Sequence, residues 1–178
     1  MVVLRNATLA RAIRDLVNES VVDCNQCGKC TAGCPMAWAM DIQPNQVMRM
    51  AQVGAEDRLL RSKAIWLCAS CETCATRCPM KVSLAEVMDA LRQLSRQRGV
   101  ADESTRVPQF HDAFLSSVRR FGRTHELSMI GAYKLRTRRL FDDMVLGAKM
   151  LSQGKLALMP HRIRGRDEVA RILDRLKR

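Results

Sequence analysis

Apolar residues recur every three or four positions along most of the chain, which is the spacing that places them on one face of an α-helix. The clearest helix is predicted to begin after Ser83, which forms a capping-box pattern with Glu86, and to stop at Gly99. One face of this segment is apolar and consists of Leu84, Val87, Met88, Leu91 and Leu94. No convincing β-strand pattern accompanies these segments, so the chain is predicted to be all-α.

Other segments combine the same spacing with signals for the start and stop of a helix. Helices are expected over residues 8–17, 44–53, 56–65, 108–121 and 126–151, with a short last helix over 169–176. The first of them would be capped by Asn6 or Thr8. In the helix that begins at Pro108, four apolar residues at spacings of four, four and three predict the packing face: Phe110, Phe114, Val118 and Phe121.

An internal repeat interrupts this helical pattern. The stretch CNQCGKCTAGCP at 24–35 is followed 44 residues later by CASCETCATRCP at 68–79. Further along, IQPNQVM at 42–48 matches VSLAEVM at 82–88 at an interval of 40. Two cysteine loops, each followed by a helix, predict a core with pseudo-twofold symmetry.

All eight cysteines of the chain lie in these two motifs, four in each. Thiolates are soft ligands, and four of them per site select zinc, copper(I) or an iron–sulfur cluster. Zinc sites usually take their cysteines in pairs from two separate loops, whereas here three closely spaced cysteines come from one loop and a fourth precedes a proline. This run is the signature of bacterial two-cluster ferredoxins, in which the two motifs exchange their fourth cysteines.

The spacing therefore predicts two [4Fe–4S] clusters with crossed ligation. The first set is Cys24, Cys27, Cys30 and Cys78; the second is Cys68, Cys71, Cys74 and Cys34. Two zinc ions bound by the same eight thiolates are the main alternative, and disulfide bonds are a weaker one. The flanking Trp38 and Trp66 are expected to cover the clusters from water.

Two clusters close together favour electron relay over catalysis, because four thiolates at each cluster leave no iron open to a substrate. No catalytic residue is predicted. The chain contains no Gly-x-Gly-x-x-Gly, so neither a flavin nor a nicotinamide is expected on it.

The net charge of +12 predicts an acidic partner, and the charge is uneven along the 178 residues. Residues 101–178 hold 17 Lys and Arg against 9 Asp and Glu. The expected organisation is a cluster domain over 1–100 and a basic helical extension over 101–178, joined by a polar link, that docks onto partner subunits. Nucleic-acid binding is the alternative for the basic extension, but no nucleic-acid motif is present, and it is not predicted.

The N-terminal stretch has arginines within its apolar residues, which argues against a signal peptide, and no stretch approaches the roughly 20 apolar residues of a membrane span. A cytoplasmic protein without direct membrane insertion is expected, since a reducing compartment keeps thiols free to act as ligands.

The segments CNQCGKCTAGCP, DIQPNQVMRM, IWLCASCETCATRCPMKVSLAEVMDALR and GKLALMPHRIRG together resemble the C-subunit of heterodisulfide reductase in its bacterial form. The resemblance is strongest over residues 24–92. It implies an α-helical ferredoxin fold and a role in passing electrons between a flavin-carrying A-subunit and a disulfide-active B-subunit. The complexes of sulfur-oxidising bacteria are the implied setting.

Residues 24–92 alone also resemble the iron–sulfur subunits of succinate dehydrogenase and the C-subunit of anaerobic glycerol-3-phosphate dehydrogenase. An iron–sulfur subunit of a quinone-linked, membrane-associated dehydrogenase is therefore one alternative. A free ferredoxin carrier is another, although such a carrier has no need of the basic extension.

Overall fold

The computed structural model describes residues 7–100, 106–138, 141–157, 159–161 and 163–175, and over these ranges it contains helices and no strand. The α-helices are α1 Ala7–Val17, α2 Lys29–Ala32, α3 Pro44–Val53, α4 Glu56–Leu60, α5 Ala64–Leu67, α6 Thr73–Thr76, α7 Leu84–Gln97, α8 Val107–Phe121, α9 Glu126–Thr137, α10 Met144–Ser152 and α11 Arg166–Arg175. Short 3-10 turns cover Val21–Asp23 and Ala37–Ala39. The prediction of an all-α protein is confirmed over these residues.

The chain divides into two compact units, Met1–Thr105 and Arg106–Arg178. In the first unit, α7 packs against α1, α4, α5 and α6. Its buried face carries the apolar residues expected from the sequence, and Val87 and Leu91 are fully buried. Leu9 and Ile13 of α1 and Val47 of α3 complete the centre of this core.

Ser83 caps α7 as expected, its hydroxyl accepting the backbone N–H of Glu86. Asn6, one of the two proposed caps of α1, lies outside the described residues. The helix predicted over 56–65 is wrong in one respect, because it breaks into α4 and α5. The carboxylate of Asp41 causes the break: it accepts the backbone N–H groups of Lys63 and Ala64 at 3.0 and 2.8 Å and so starts a new helix.

The internal repeat is present in the backbone as well as in the sequence. Helices α2 and α6 lie 44 residues apart, and α3 and α7 begin 40 residues apart. Gln26 and its equivalent Ser70 both have positive φ angles, 58° and 49°. Gly28 and its equivalent Glu72 do too, at 76° and 60°. The two loops therefore follow the same path although their sequences differ.

In the second unit, α8 packs against α9 and α11. The predicted packing face of α8 is confirmed at Phe121, which is buried, but wrong at Phe110 and Phe114, which remain about two-fifths exposed, at 41% and 40%. The buried residues are Pro108, Ala113, Ser117 and Phe121, and the last three lie at spacings of four. Ser117 accepts the backbone N–H of His125, the residue before α9, at 2.9 Å.

The helix predicted over 126–151 is also divided, into α9 and α10. His125 starts α9 by accepting the backbone N–H of Ser128 at Nδ1, while its Nε2 lies 2.9 Å from the carbonyl oxygen of Ala157. Left-handed backbone at Arg138 and Asp143 separates the two helices. None of the helices in the described ranges is long and apolar enough to cross a lipid bilayer.

Candidate metal centres

Two cavities lie between the cysteine loops, and together their walls include all eight cysteines. The first cavity is lined by Cys24, Cys27, Cys30, Cys74 and Cys78. The second is lined by Cys30, Cys34, Cys68, Cys71 and Cys74. Each cavity is thus lined by the three closely spaced cysteines of one motif and by the fourth cysteine of the other, together with one further cysteine, Cys74 in the first cavity and Cys30 in the second.

The shape of each loop explains why its three cysteines face one cavity. Left-handed residues stand directly before and directly after Cys27, at Gln26 and Gly28, and curl the chain around the cavity. The chain then enters the short helix α2, which carries Cys30. The second loop repeats this path around Cys71.

The fourth cysteine of each motif reaches the opposite cavity because α2 packs against α6. Cys78 leaves α6 and meets the first cavity, where its Sγ accepts the backbone N–H of Val82 at 3.3 Å. Cys34 leaves α2 and meets the second cavity beside Pro35.

The cysteines differ in their exposure. Cys27 and Cys71, equivalent in the repeat, are the exposed ones, and the other six are partly buried. Cys30 and Cys74, also equivalent, line both cavities. Each cavity therefore has one outward-facing cysteine and shares two inner cysteines with its neighbour.

Burial and neighbouring charge give these thiols different pKa values. Burial raises the pKa of Cys30, and it raises the pKa of Cys74 to about 11, with the neighbouring Cys68 adding to the effect. A hydrogen bond with the hydroxyl of Thr73, 3.4 Å away, lowers the pKa of the exposed Cys71. Without a metal, the inner cysteines are therefore protonated at neutral pH, and metal binding must release their protons.

The donors that line the two cavities are thiols, which as thiolates are soft metal ligands. A zinc ion requires four ligands about 2.0–2.3 Å from one point. Within the part of the chain that the structure describes, no three Cys, His, Asp or Glu side chains converge closely enough to hold one metal ion. Five cysteines line each cavity, and a [4Fe–4S] cluster takes four thiolate ligands.

Sequence reasoning overlooked the polar side chains that hold the loops. Gln52 of α3 donates to the carbonyl oxygens of Val21 and Cys24 at 3.0 and 2.8 Å. Arg92 of α7 donates to the carbonyl oxygens of Ile65 in α5 and of Cys68, which follows α5. Both residues could have been found by overlaying the two repeats, because they occupy equivalent positions 40 residues apart.

The two tryptophans differ from each other. Trp66 is buried, but Trp38 is 84% exposed, so the expectation that it covers a cluster is wrong. Trp38 lies in the 3-10 turn Ala37–Ala39 that follows Cys34. Met36 and Met40, which flank this turn, line the second cavity in its place.

Residues 23–83 match the family model described as a 4Fe–4S dicluster domain. This part of the chain is therefore similar to a 4Fe–4S dicluster domain. Its eight cysteines hold two [4Fe–4S] clusters, and the helical core around them is a ferredoxin-like iron–sulfur core.

Curated relatives agree with this assignment. The chain is 34% identical over 88 residues to the iron–sulfur C-subunit of the CoB–CoM heterodisulfide reductase of Methanopyrus kandleri, covering 49% of this chain and 46% of that protein. It is 35% identical over 81 residues to the C-subunit of the H₂:CoB–CoM heterodisulfide, ferredoxin reductase of Methanothermobacter thermautotrophicus, covering 46% and 44%. To the C-subunit of the ferredoxin:CoB–CoM heterodisulfide reductase of Methanosarcina acetivorans it is 36% identical over 97 residues, covering 54% and 38%.

The resemblance to the C-subunit of heterodisulfide reductase is confirmed over this portion of the chain. The chain spans less than half the length of these curated relatives. These relatives are archaeal, and the bacterial form of the family stays a prediction.

Proposed function

We propose that the chain is an electron-transfer subunit that relays electrons through two [4Fe–4S] clusters inside a heterodisulfide reductase-like complex. The observation that carries this proposal is the layout of the two cavities. They share Cys30 and Cys74, and each has one exposed cysteine at its outer edge. This layout suits entry of an electron at one edge and exit at the other.

The proposed ligands are crossed between the motifs. Cys24, Cys27, Cys30 and Cys78 hold one cluster, and Cys68, Cys71, Cys74 and Cys34 hold the other. The cavity linings support this division, since Cys78 accompanies the first loop and Cys34 accompanies the second. Cys30 and Cys74 each border both cavities, and the three-plus-one spacing decides their assignment.

Each cluster supplies a one-electron couple when it is bound. The chain's own residues hold the ligands and shape the solvent boundary. Around the second cavity, Met36, Met40, Leu84 and Met88 provide an apolar wall. Around the first, Asn25, Gln26, Lys29 and Asn45 make the lining more polar.

The proposed partners are a flavin-carrying protein that resembles the A-subunit and a catalytic protein that resembles the B-subunit of the same complex. This division of labour agrees with a chain that has neither a flavin motif nor a cysteine outside its two motifs. The basic residues 101–178 are proposed to dock onto acidic surfaces of these partners. The proposed setting is sulfur metabolism in the cytoplasm, where thiols remain free to act as ligands.

The test is to tag the chain in its native host, purify it without oxygen and identify the proteins that accompany it. A flavoprotein together with a second cysteine-rich protein is the expected result. Recovery with a dehydrogenase and a membrane-embedded protein would replace the proposal with the quinone-linked alternative. Recovery alone with two intact clusters would indicate a free carrier.

A further inference from the structure

Gln52 and Arg92 are equivalent residues of the two repeats and do the same structural task. Gln52 donates from Nε2 to the carbonyl oxygens of Val21 and Cys24. Arg92 donates to the carbonyl oxygens of the two residues that stand 44 positions after Val21 and Cys24. Its Nε donates to the carbonyl oxygen of Ile65, and its Nη2 donates to that of Cys68.

These bonds meet a need that both loops have. Each loop follows a short helical turn, and each side chain bonds one carbonyl group within that turn, of Val21 or Ile65, and the carbonyl group of the cysteine directly after it. The side chain of Gln52 is buried, and that of Arg92 is 17% exposed. The hydrogen bonds are buried or partly buried, and leaving one of these carbonyl groups without its partner would be costly.

The two equivalent residues differ in charge, because Gln52 has a neutral amide and Arg92 has a positive guanidinium. Arg92 brings a positive charge into direct contact with the peptide of Cys68. Gln52 brings no charge to Cys24, and the cation behind it is Arg49, whose guanidinium bonds the far side of the amide at 3.3 Å. A charge in contact with the ligand's own peptide acts more strongly than one a side chain further away.

Asp89 opposes this effect, because its carboxylate lies 2.7 Å from Nη1 of Arg92. The side chain of Asp89 is 50% exposed, however, whereas that of Arg92 is 17% exposed. Water screens the carboxylate more than the guanidinium, so the positive charge dominates at Cys68.

We propose that Arg92 is a positioning residue that also raises the reduction potential of the cluster whose first ligand is Cys68, while Gln52 supplies the same support to Cys24 without a charge. A positive charge nearby favours the reduced cluster, which carries one more electron. The two clusters are thereby made inequivalent. This inference rests on the proposed ligand sets but not on any partner protein.

The experiment is an anaerobic redox titration of the full, cluster-loaded chain, followed by electron paramagnetic resonance, with dithionite as the electron donor. The substitution Arg92→Gln gives the second repeat the neutral side chain that the first repeat has at Gln52. At a fixed applied potential we expect the ratio of reduced to oxidised Cys68 cluster to be about threefold to tenfold lower, where tenfold corresponds to about 59 mV for one electron. The other cluster should titrate as before.

Two further variants separate the effect of the positive charge from that of the two hydrogen bonds. Arg92→Lys keeps the charge but cannot donate a planar pair of bonds, so the reduction potential of the Cys68 cluster should stay close to that of the unchanged protein. Asp89→Asn keeps both carbonyl contacts and removes the opposing charge, so it should raise the potential of the same cluster. Arg96→Gln, an exposed residue one turn further along α7, is the matched control for the loss of one positive charge.

The signals are assigned with Cys71→Ser and Cys27→Ser, which perturb one exposed ligand each. Equal shifts in Arg92→Gln and Arg96→Gln would overturn the proposal, as would an unchanged potential in Asp89→Asn. If Arg92→Gln fails to retain its cluster, the Asp89→Asn titration still decides. Because only the isolated chain is titrated, these outcomes are independent of whether the proposed complex exists.

Discussion

The guanidinium of Arg77 lies against Gly33, its own equivalent in the other cysteine motif. A Cβ atom placed on Gly33 would stand 2.6 Å from Nη1 and 3.1 Å from Cδ of Arg77. Both residues end the short helix of their motif, α2 or α6. The contact therefore lies where the two repeats face each other, and the absence of a side chain at one position makes room for the long side chain at the other.

Gly33→Ala is expected to be destabilising only while Arg77 is present. The φ angle of Gly33 is −102°, which any residue adopts, so the cost arises from the contact alone. Because the end of an arginine side chain can move, we expect a cost of about 1 kcal/mol or less. A double-mutant cycle with Arg77→Ala, read as the rate of cluster loss to an iron chelator, should show that Gly33→Ala has no effect without the arginine. Equal effects in both backgrounds would contradict the packing argument.

Cys78→Ser is expected to damage the cluster held by Cys24, Cys27 and Cys30, which lie 48 or more residues earlier in the chain. Its matched partner, Cys34→Ser, should damage the other cluster. The physical reason is that each fourth cysteine lines the cavity of the opposite loop. Mössbauer and electron paramagnetic resonance spectra of both variants provide the measurement. If each variant instead loses the cluster of its own motif, the ligands are not crossed.

The sequence predicted the chemistry of the sites better than it predicted the helix boundaries. Cysteine spacing and proline position are local features that a loop of one shape requires, so the sequence alone predicts Cys24 to Cys34 and Cys68 to Cys78 as the cluster ligands. The break between α4 and α5 could not be, because it depends on Asp41, more than 20 residues away. Periodicity registers only apolar spacing, and Asp41 acts through two hydrogen bonds.

The packing face of α8 could be predicted only in part for a related reason. Large aromatic side chains usually mark the buried side of a helix, but apart from Phe121 the buried row of α8 consists of the small residues Ala113 and Ser117. Phe110 instead lies partly exposed, where its ring meets that of Tyr133 at 5.8 Å in an edge-to-face geometry. The buried face depends on packing against α9 and α11, and the spacing of apolar residues does not contain these contacts.

In the metal-free chain, Cys71 is expected to be alkylated by iodoacetamide faster than Cys74 at neutral pH. The thiolate is the reactive form, and the Thr73 hydroxyl lowers the pKa of Cys71 while burial raises that of Cys74 to about 11. As the pH rises from about 7 to about 10, the rate at Cys71 should level off first, and the rate at Cys74 should still be increasing. Peptide mass spectrometry after timed quenching measures both rates.

Thr73→Val is the control for this difference in reactivity. It removes the hydroxyl that lies 3.4 Å from the Sγ of Cys71 and preserves the shape of the side chain. The rate at Cys71 should fall several-fold at neutral pH, and the rate at its exposed equivalent Cys27 should not change. A rate at Cys71 that does not respond to this substitution would show that exposure alone governs its reactivity.

Asp41→Ala is expected to weaken the second cysteine loop. The substitution leaves the backbone N–H groups of Lys63 and Ala64 without their acceptor at the start of α5, the helix that leads directly into Cys68. Loss of a helix cap of this kind costs about 1–2 kcal/mol. The cluster that includes Cys68 should be lost to a chelator faster than the other one, and Asp41→Asn, which keeps one acceptor oxygen, should show a smaller effect. Equal rates of loss for the two clusters in Asp41→Ala would contradict the role of Asp41.

His125→Ala is expected to destabilise the second unit by about 2–3 kcal/mol, because the side chain makes two hydrogen bonds in a buried position. Nδ1 accepts the N–H of Ser128 at the start of α9, so Nε2 carries the proton and donates to Ala157. His125→Asn should recover the cap on α9, since asparagine is a preferred N-cap residue, but not the bond to Ala157. Amide hydrogen exchange at Ser128 should therefore accelerate strongly in the alanine variant and weakly in the asparagine variant. Equal acceleration in the two variants would mean that the bond to Ala157, rather than the cap, holds the start of α9.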